Sequence, residues 1–412
     1  METPQATRRA FVGAIAGLPG LAVTPQTAAA PVATSRADLG LAPGLIHFNT
    51  ASAGPTRRSV LARTVEAWQR LESDPVRMAY YPEPDTVASA ADRVRSTAAA
   101  LIGCSGEEIL LTRGTTDGIT TIAHSIRLAK DDHVLLTDQE HEGGETGWLH
   151  RRDRDGIIVD RVHIPIGLFD TAAIVRRFEA AIGPRTRAVS FSHVLSPTGL
   201  RMPVTEIAAL ARSKNCLCIV DGAQAAGGIQ VDVRSLGCDA YATSGHKWLM
   251  GPKGTGFTYI KKESSQAIRP AQWLFDRRFI SNSAGLGPIP LAIGLGEAIN
   301  QALALGMSAI EQRVIALRNR FYAEFGTFAG LRMVSPPPGP LATALVAVVL
   351  PDQIDSKAMR ERLHDRHGII VKMAEKRWFN GLRFSPHIFN DEGQVDVALS
   401  ALRTELKAFA KS

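Results

Sequence analysis

The chain has 412 residues, with 47 lysines and arginines against 40 aspartates and glutamates, for a formal net charge of +7. Hydrophobic residues make up 45% and charged residues 21%, which excludes a disordered chain, a disulfide-built miniprotein and a polytopic membrane protein, and leaves length for about two or three domains. The basic residues are scattered and aromatics are only 6%, so no nucleic-acid surface is expected; Cys104, Cys216, Cys218 and Cys238 are too few for a disulfide scaffold and form no metal-binding spacing.

Residues 1–35 read as a targeting segment. Thr7-Arg8-Arg9-Ala10-Phe11-Val12-Gly13 opens it, and no further charge occurs before Arg36. A weakly apolar stretch from Ala10 to Val23 leads to the small-residue run Ala28-Ala29-Ala30. Basic, apolar, then small is the order of an export signal, and paired arginines followed by Phe11 resemble a twin-arginine signal, the address of a translocon that moves folded proteins. The apolar part is too short and too rich in glycine and proline to span a bilayer as a helix. Export to the periplasm or the extracellular space is therefore the expectation, with a plain N-terminal extension as the alternative.

Beyond residue 35, short apolar runs alternate with helical patterns. Expected strands are Val134-Leu135-Leu136, Ile157-Ile158-Val159, Ala188 to Phe191, Leu217 to Val220, Tyr241-Ala242-Thr243 and Phe257 to Ile260. Helices are expected from Thr116 to Leu128, where Ile119, Ile122, Ala123 and Ile126 form one stripe, and from Val204 to Ser213. The alternation predicts an α/β fold with a large doubly wound, mainly parallel sheet over 51–305. After Gly306 the pattern changes: a helix from Ala309 to Phe325, a strand from Leu345 to Leu350, a helix from Ser356 to His367, a strand from Ile369 to Lys372 and a terminal helix presenting Val395, Leu399, Leu402, Leu406 and Phe409. These predict a smaller α+β C-terminal domain over 306–412, joined by the segment 36–50.

Polar residues gather where the predicted strands end: Ser192 and His193, Asp221 and Gln224, then Ser244, His246 and Lys247. In open α/β sheets the ligand crevice lies at those carboxyl ends. Lys247 follows an apolar strand, and a lysine held in a desolvated pocket becomes an amine nucleophile toward aldehydes; alone it also fits a surface lysine. Asp221 ends a strand without a local base, so a pyridinium nitrogen would suit it, as would the simpler role of a turn aspartate before Gly222. Arg113-Gly114-Thr115-Thr116-Asp117-Gly118 opens a helix and suits a phosphate, although an N-cap explains one threonine. Together, threonines at a helix start, an acid at a strand end and a following lysine describe the three needs of pyridoxal phosphate: an anchored phosphate, a protonated ring nitrogen and a tethered aldehyde.

These motifs resemble the class V aminotransferase family of fold-type-I pyridoxal-phosphate enzymes, a group that includes cysteine desulfurases and isopenicillin N epimerase-like proteins. The likeness runs over about residues 40–410, through Thr-Arg-Gly-Thr-Thr-Asp-Gly, Asp-Gln-Glu-His, Ser-His-Val, Val-Asp-Gly-Ala-Gln and Ser-Gly-His-Lys in that order. It implies that Lys247 tethers the cofactor and shuttles the Cα proton, that Asp221 faces the ring nitrogen, that Gln224 contacts the ring hydroxyl and that His141 stacks over the ring. Thr115, Thr116, Ser244 and His246 fall at phosphate-contacting positions. Arg383, in Leu382-Arg383-Phe384-Ser385-Pro386, matches the clamp for a substrate α-carboxylate, and Asn49 joins it as a substrate-binding position.

Three departures qualify the resemblance. The loop Val371-Lys372-Met373-Ala374-Glu375-Lys376-Arg377-Trp378 lacks the cysteine that desulfurases place there. Leu286 stands where many relatives bring a threonine from a partner subunit, and Ser196-Pro197 replaces an asparagine-containing turn. The implied chemistry is at the Cα of an amino acid or an amino-acid-containing peptide metabolite, in a homodimer. An epimerase or racemase-type reaction ranks first. A C–S or other β/γ-eliminating lyase follows, then an exported tailoring enzyme for a glutamyl group of a peptide siderophore. Transamination stays open, and a non-catalytic cofactor-binding scaffold is the alternative of another class. Tyr80, Tyr81 and Trp378 are candidates for the pocket wall or for packing.

Overall fold

The computed structural model describes residues 36–81, 83–270 and 288–409. The expected export segment and Leu286 lie outside the described residues. The N-terminal part runs β1 (Ile46–His47), α1 (Arg58–Ser73), α2 (Pro75–Tyr80), α3 (Val87–Ile102), β2 (Ile109–Thr112) and α4 (Thr115–Ser125). The central part runs β3 (His133–Thr137), α5 (Glu142–Asp155), β4 (Ile158–Val162), α6 (Thr171–Ala181), β5 (Thr186–Ser192), α7 (Val204–Ser213), β6 (Leu217–Asp221), α8 (Val233–Leu236), β7 (Ala240–Ala242) and β8 (Gly256–Ile260). The C-terminal part runs α9 (Ile289–Leu305), α10 (Met307–Phe325), β9 (Arg332–Met333), β10 (Val346–Val349), α11 (Ser356–His367), β11 (Ile369–Ile370), β12 (Lys372–Met373), β13 (Gly381–Phe384) and α12 (Glu392–Phe409).

β2 to β8 form one seven-stranded sheet in the order β2-β8-β7-β6-β5-β3-β4. β8 alone runs against its neighbours; every other pairing within β3 to β7 is parallel. The inner strands of this sheet are buried almost throughout because helices cover both faces, whereas the edge strand β4, Ile158-Val159-Asp160-Arg161-Val162, is only partly buried. Alternate side chains of β3 illustrate it: Leu135 enters the core shared with α3, α7 and α9, while Val134 and Leu136 enter the one that holds Ile119, Ile122 and Trp148 of α4 and α5. Between β2 and β3 the chain crosses from one edge of the sheet to the far side, so the carboxyl ends of β2, β3, β5, β6 and β7 open toward a common crevice.

A second, antiparallel sheet has the order β12-β13-β10-β9, and β1 pairs in parallel with β11. The expected strand Ile369–Lys372 is thus two strands. Buried Val371 separates them, and each half pairs with a different partner: β11 with β1, and β12 with β13. Helix α10, expected to open the smaller region, serves two cores. Ile310 and Val314 join the core of the large sheet, whereas Leu317, Phe321 and Phe325 pack with Phe48, Phe384 and Leu402. Helix α4 stops at Ser125, short of the expected Leu128, because Ile126 turns extended and bridges Ile268. Among the described residues no single helix is long and apolar enough to cross a membrane.

Candidate active site

Asp221 is the last residue of β6 and is buried. One carboxylate oxygen accepts the Ala223 N–H at 2.9 Å, and among the described residues no cation stands at ion-pair distance from it. Burial raises its pKa, an effect opposed first by the positive charge of Lys247. A β-carbon at the following Gly222 would run into the Tyr241 ring, so glycine is what lets the chain leave the strand closely packed at this point.

Lys247 sits on the loop after β7, half-buried in the cavity wall. Burial pulls its pKa down to about 8; Asp221 works against the shift, and the charges of Arg383 and Lys372 add to it. Its ammonium makes no hydrogen bond with the described residues. Neighbouring backbone fixes the loop instead: the Gly54 N–H donates to the His246 carbonyl at 2.8 Å, the Thr56 hydroxyl to the Gly251 carbonyl at 2.9 Å, and His387 Nε2 meets the Trp248 carbonyl at 2.8 Å. Lys253 Nζ ties Gly54 and Thr56 together at 2.9 and 2.8 Å. Gly54 approaches so closely that a β-carbon there would overlap the Lys247 carbonyl oxygen.

Helix α4 begins without a side-chain cap. Its N-cap is Gly114, at φ 151°, which leaves Thr115 and Thr116 in the first turn rather than consumed as caps. Ser244 Oγ accepts the Thr115 N–H at 3.1 Å and lies 2.8 Å from the Thr115 hydroxyl, joining this turn to the lysine loop. Beside them, His246 Nδ1 is buried with no partner. An uncapped helix start, the Thr116 hydroxyl and an orphaned imidazole nitrogen form a seat for a small anion.

His141 caps α5, accepting the Gly143 N–H on Nδ1 at 3.0 Å, which leaves the proton of the neutral ring on Nε2. Desolvation and then the Lys247 charge hold this imidazole below its ordinary pKa. On the preceding residue, the buried Glu140 carboxyl takes the Thr137 and Ser192 hydroxyls, both at 2.5 Å, and the Ser192 N–H at 3.2 Å. Burial, with Asp221 as a like charge nearby, raises its pKa to about 7 despite those donors.

Arg383 lies on β13 and is 4% exposed. Its guanidinium donates to the Ser196 carbonyl and hydroxyl at 2.9 and 2.6 Å and to the Ser52 hydroxyl at 3.2 Å, while Nε is unpartnered. All these partners are neutral, and burial lowers its pKa to about 10. A buried cation with no carboxylate at ion-pair distance among the described residues is prepared for an anionic ligand.

Thr115, Thr116, His141, Asp221, Gln224, Ser244, His246, Lys247 and Arg383 line one cavity of about 250 Å³, against the ~10–15 Å³ that one water needs. The cavity fits pyridoxal phosphate: the helix α4 turn would hold the phosphate, Asp221 would face the ring nitrogen and Lys247 would meet the aldehyde. Gln224 is also a brace, since its amide donates to the Ala51 carbonyl at 2.9 Å and accepts from Trp248 Nε1 at 3.0 Å. Asn49 is a correction. It does not line the cavity; its backbone carbonyl receives the Ser52 and Ala53 N–H groups, and that turn presents Ser52 to the cavity instead. Trp378 lines the cavity, whereas Tyr80 and Tyr81 are exposed and outside it.

Sequence reading missed Ser52, Lys372, Glu375 and the buried carboxyl of Glu140. Only Glu140 carried a signal, its place directly before His141 on the loop after β3. Its raised pKa has a consequence for stability. Between pH 4.5 and about 7 the folded protein keeps a proton there that the unfolded chain releases, so stability falls as pH rises through this window. Glu140→Gln is expected to flatten that fall in cofactor-free protein, measured as the midpoint of urea unfolding at a series of pH values; parallel profiles for the two proteins would contradict it.

The model of the family described as aminotransferase class-V matches residues 46–397. The isopenicillin N epimerase of Amycolatopsis lactamdurans is 30% identical over 394 residues, covering 90% of this chain and 98% of that protein. A probable cysteine desulfurase of Methanothermobacter thermautotrophicus is 27% identical over 320 residues, covering 73% of this chain and 78% of the relative. Among solved structures, a cysteine desulfurase from Thermococcus onnurineus NA1 superposes with a TM-score of 0.79 at 22% identity, covering 90% of this chain and 97% of that one. The fold is that of the fold-type-I pyridoxal-phosphate enzymes, and the chain belongs to the class-V aminotransferase family.

Proposed function

We propose that this enzyme epimerises the Cα of an amino acid, or of an amino-acid residue carried by a peptide metabolite, with pyridoxal phosphate as cofactor. The observation that carries the reading is the cavity wall. It holds two groups able to take and return a proton, Lys247 and His141, and among the described residues no thiol. Cys216, Cys218 and Cys238 are buried in the large core and Cys104 packs against it, so no cysteine is placed to take sulfur from a substrate. Similarity to isopenicillin N epimerases over nearly their full length supports the same reading.

When bound, the cofactor supplies a ring that accepts the electrons of a broken Cα bond. The protein does the rest. Asp221 holds a proton on the ring nitrogen, Arg383 fixes the substrate carboxylate through its planar fork, and Lys247 takes the Cα proton. His141 Nε2 or a water beside it returns a proton to the opposite side. In deuterium oxide with a panel of free amino acids and short peptides, the enzyme is expected to place deuterium at Cα and to interconvert the two configurations there. Lys247→Ala should slow both by ~10²–10⁴-fold. Release of sulfide, ammonia or a keto acid without exchange would instead mark a lyase or a transaminase.

Export through the twin-arginine route is proposed from residues 1–35, whose charge order supports it. A reporter fused to these residues should leave the cytoplasm of cells with a working translocon and stay inside after Arg8→Lys with Arg9→Lys. A wild-type fusion that stays inside would overturn the proposal.

A homodimer is proposed as well. Leu61, Val65 and Trp68 lie along one exposed stripe of α1, next to exposed Val76, Tyr80 and Tyr81 of α2 and the residue after it. Trp68→Glu should lower the mass measured by light scattering toward that of one 44.3 kDa chain. An unchanged mass, or a wild-type protein already monomeric, would contradict it.

A further inference from the structure

Strand pairing sets two cations side by side at the substrate end of the cavity. Lys372 on β12 is the registered partner of Arg383 on β13, and both line the cavity wall. Directly opposed residues point to the same face with β-carbons about 5 Å apart, and like charges there repel. A fold that keeps such a pair has something to offset it. Among the described residues Lys372 has no hydrogen bond or ion pair, and Arg383 has only the neutral partners Ser196 and Ser52. The cavity's other carboxylates are committed. Asp221 belongs to the cofactor end, and Glu375 is paired with Arg377 at 2.9 Å, itself stacked on Trp378.

We propose that Lys372 is a specificity-determining residue that binds a second carboxylate, so that the substrate is an amino acid whose side chain ends in a carboxylate, free or as part of a peptide. The proposal rests on the reading of Arg383 as the α-carboxylate clamp. With that carboxylate on Arg383, Lys372 is the one cation lining this end of the cavity that is left without a counter-charge among the described residues. A neutral side chain would leave it half-buried and unpaired, whereas an acidic one matches it. Discrimination therefore comes from the charge of the lysine rather than from the size of the pocket.

The test uses glutarate and its monoamide, equal in size and different by one charge, titrated calorimetrically into the cofactor-loaded enzyme. Glutarate is expected to bind about tenfold tighter or better. Lys372→Met should bring the two within about twofold by weakening glutarate alone, and Lys372→Arg should keep the preference. Equal binding of both by the wild-type enzyme would overturn the proposal. So would a Lys372→Met protein that loses both ligands equally, since the lysine would then share the α-carboxylate with Arg383. If Arg383→Lys leaves binding of both untouched, the reading of the α-carboxylate site fails along with the proposal.

Discussion

Everything in this site depends on charges that the fold removes from water without pairing them. Asp221 and Arg383 are buried and Lys247 is half-buried, and each is held by neutral groups or by none. Such burial costs several kcal/mol per ion when nothing compensates, so a protein that keeps three of them is arranged for a ligand that does. Their spacing divides the work. An acid waits at the end of β6, an amine on the loop after β7, and a guanidinium on a strand of the other sheet. In the proposed function the cofactor's ring nitrogen and aldehyde would answer the first two, and a substrate carboxylate the third.

The same electrostatics ties stability to function. Glu140 lies under the site with its carboxyl among hydroxyls, raised toward neutrality by burial and by Asp221. A neutral Glu140 adds no second negative charge near Asp221, the acid that would face the ring nitrogen.

Much of this was readable before folding, because the chemistry sits at strand ends and the inner strands are mostly apolar. Lys247, Asp221, Thr115 and Thr116 could be placed from that pattern, and Arg383 and His141 from the resemblance. What was not readable depends on contacts far apart in sequence. The hydrogen bonds of Arg383 reach Ser196 and Ser52, and Gln224 braces Ala51 and Trp248. Lys372 was hidden by the expectation of one continuous strand; only the break at Val371, with its switch of partners, turns the lysine beside Arg383. Asn49 failed for a similar reason, since a local turn spends its backbone and offers Ser52 in its place.

The pairing of β1 with β11 bears on how the molecule comes into being. Ile46 lies against Ile369, and the N–H of Ala51, a cavity residue, reaches the Ser385 hydroxyl, so the first described strand and the turn after it are held by the C-terminal part of the chain. During synthesis the early segment has to wait for more than three hundred residues before its partner exists. The large sheet, from β2 to β8, is complete well before that. The wall that carries Lys372 and Arg383 is therefore the last part of the cavity to be synthesised, after Asp221 and Lys247.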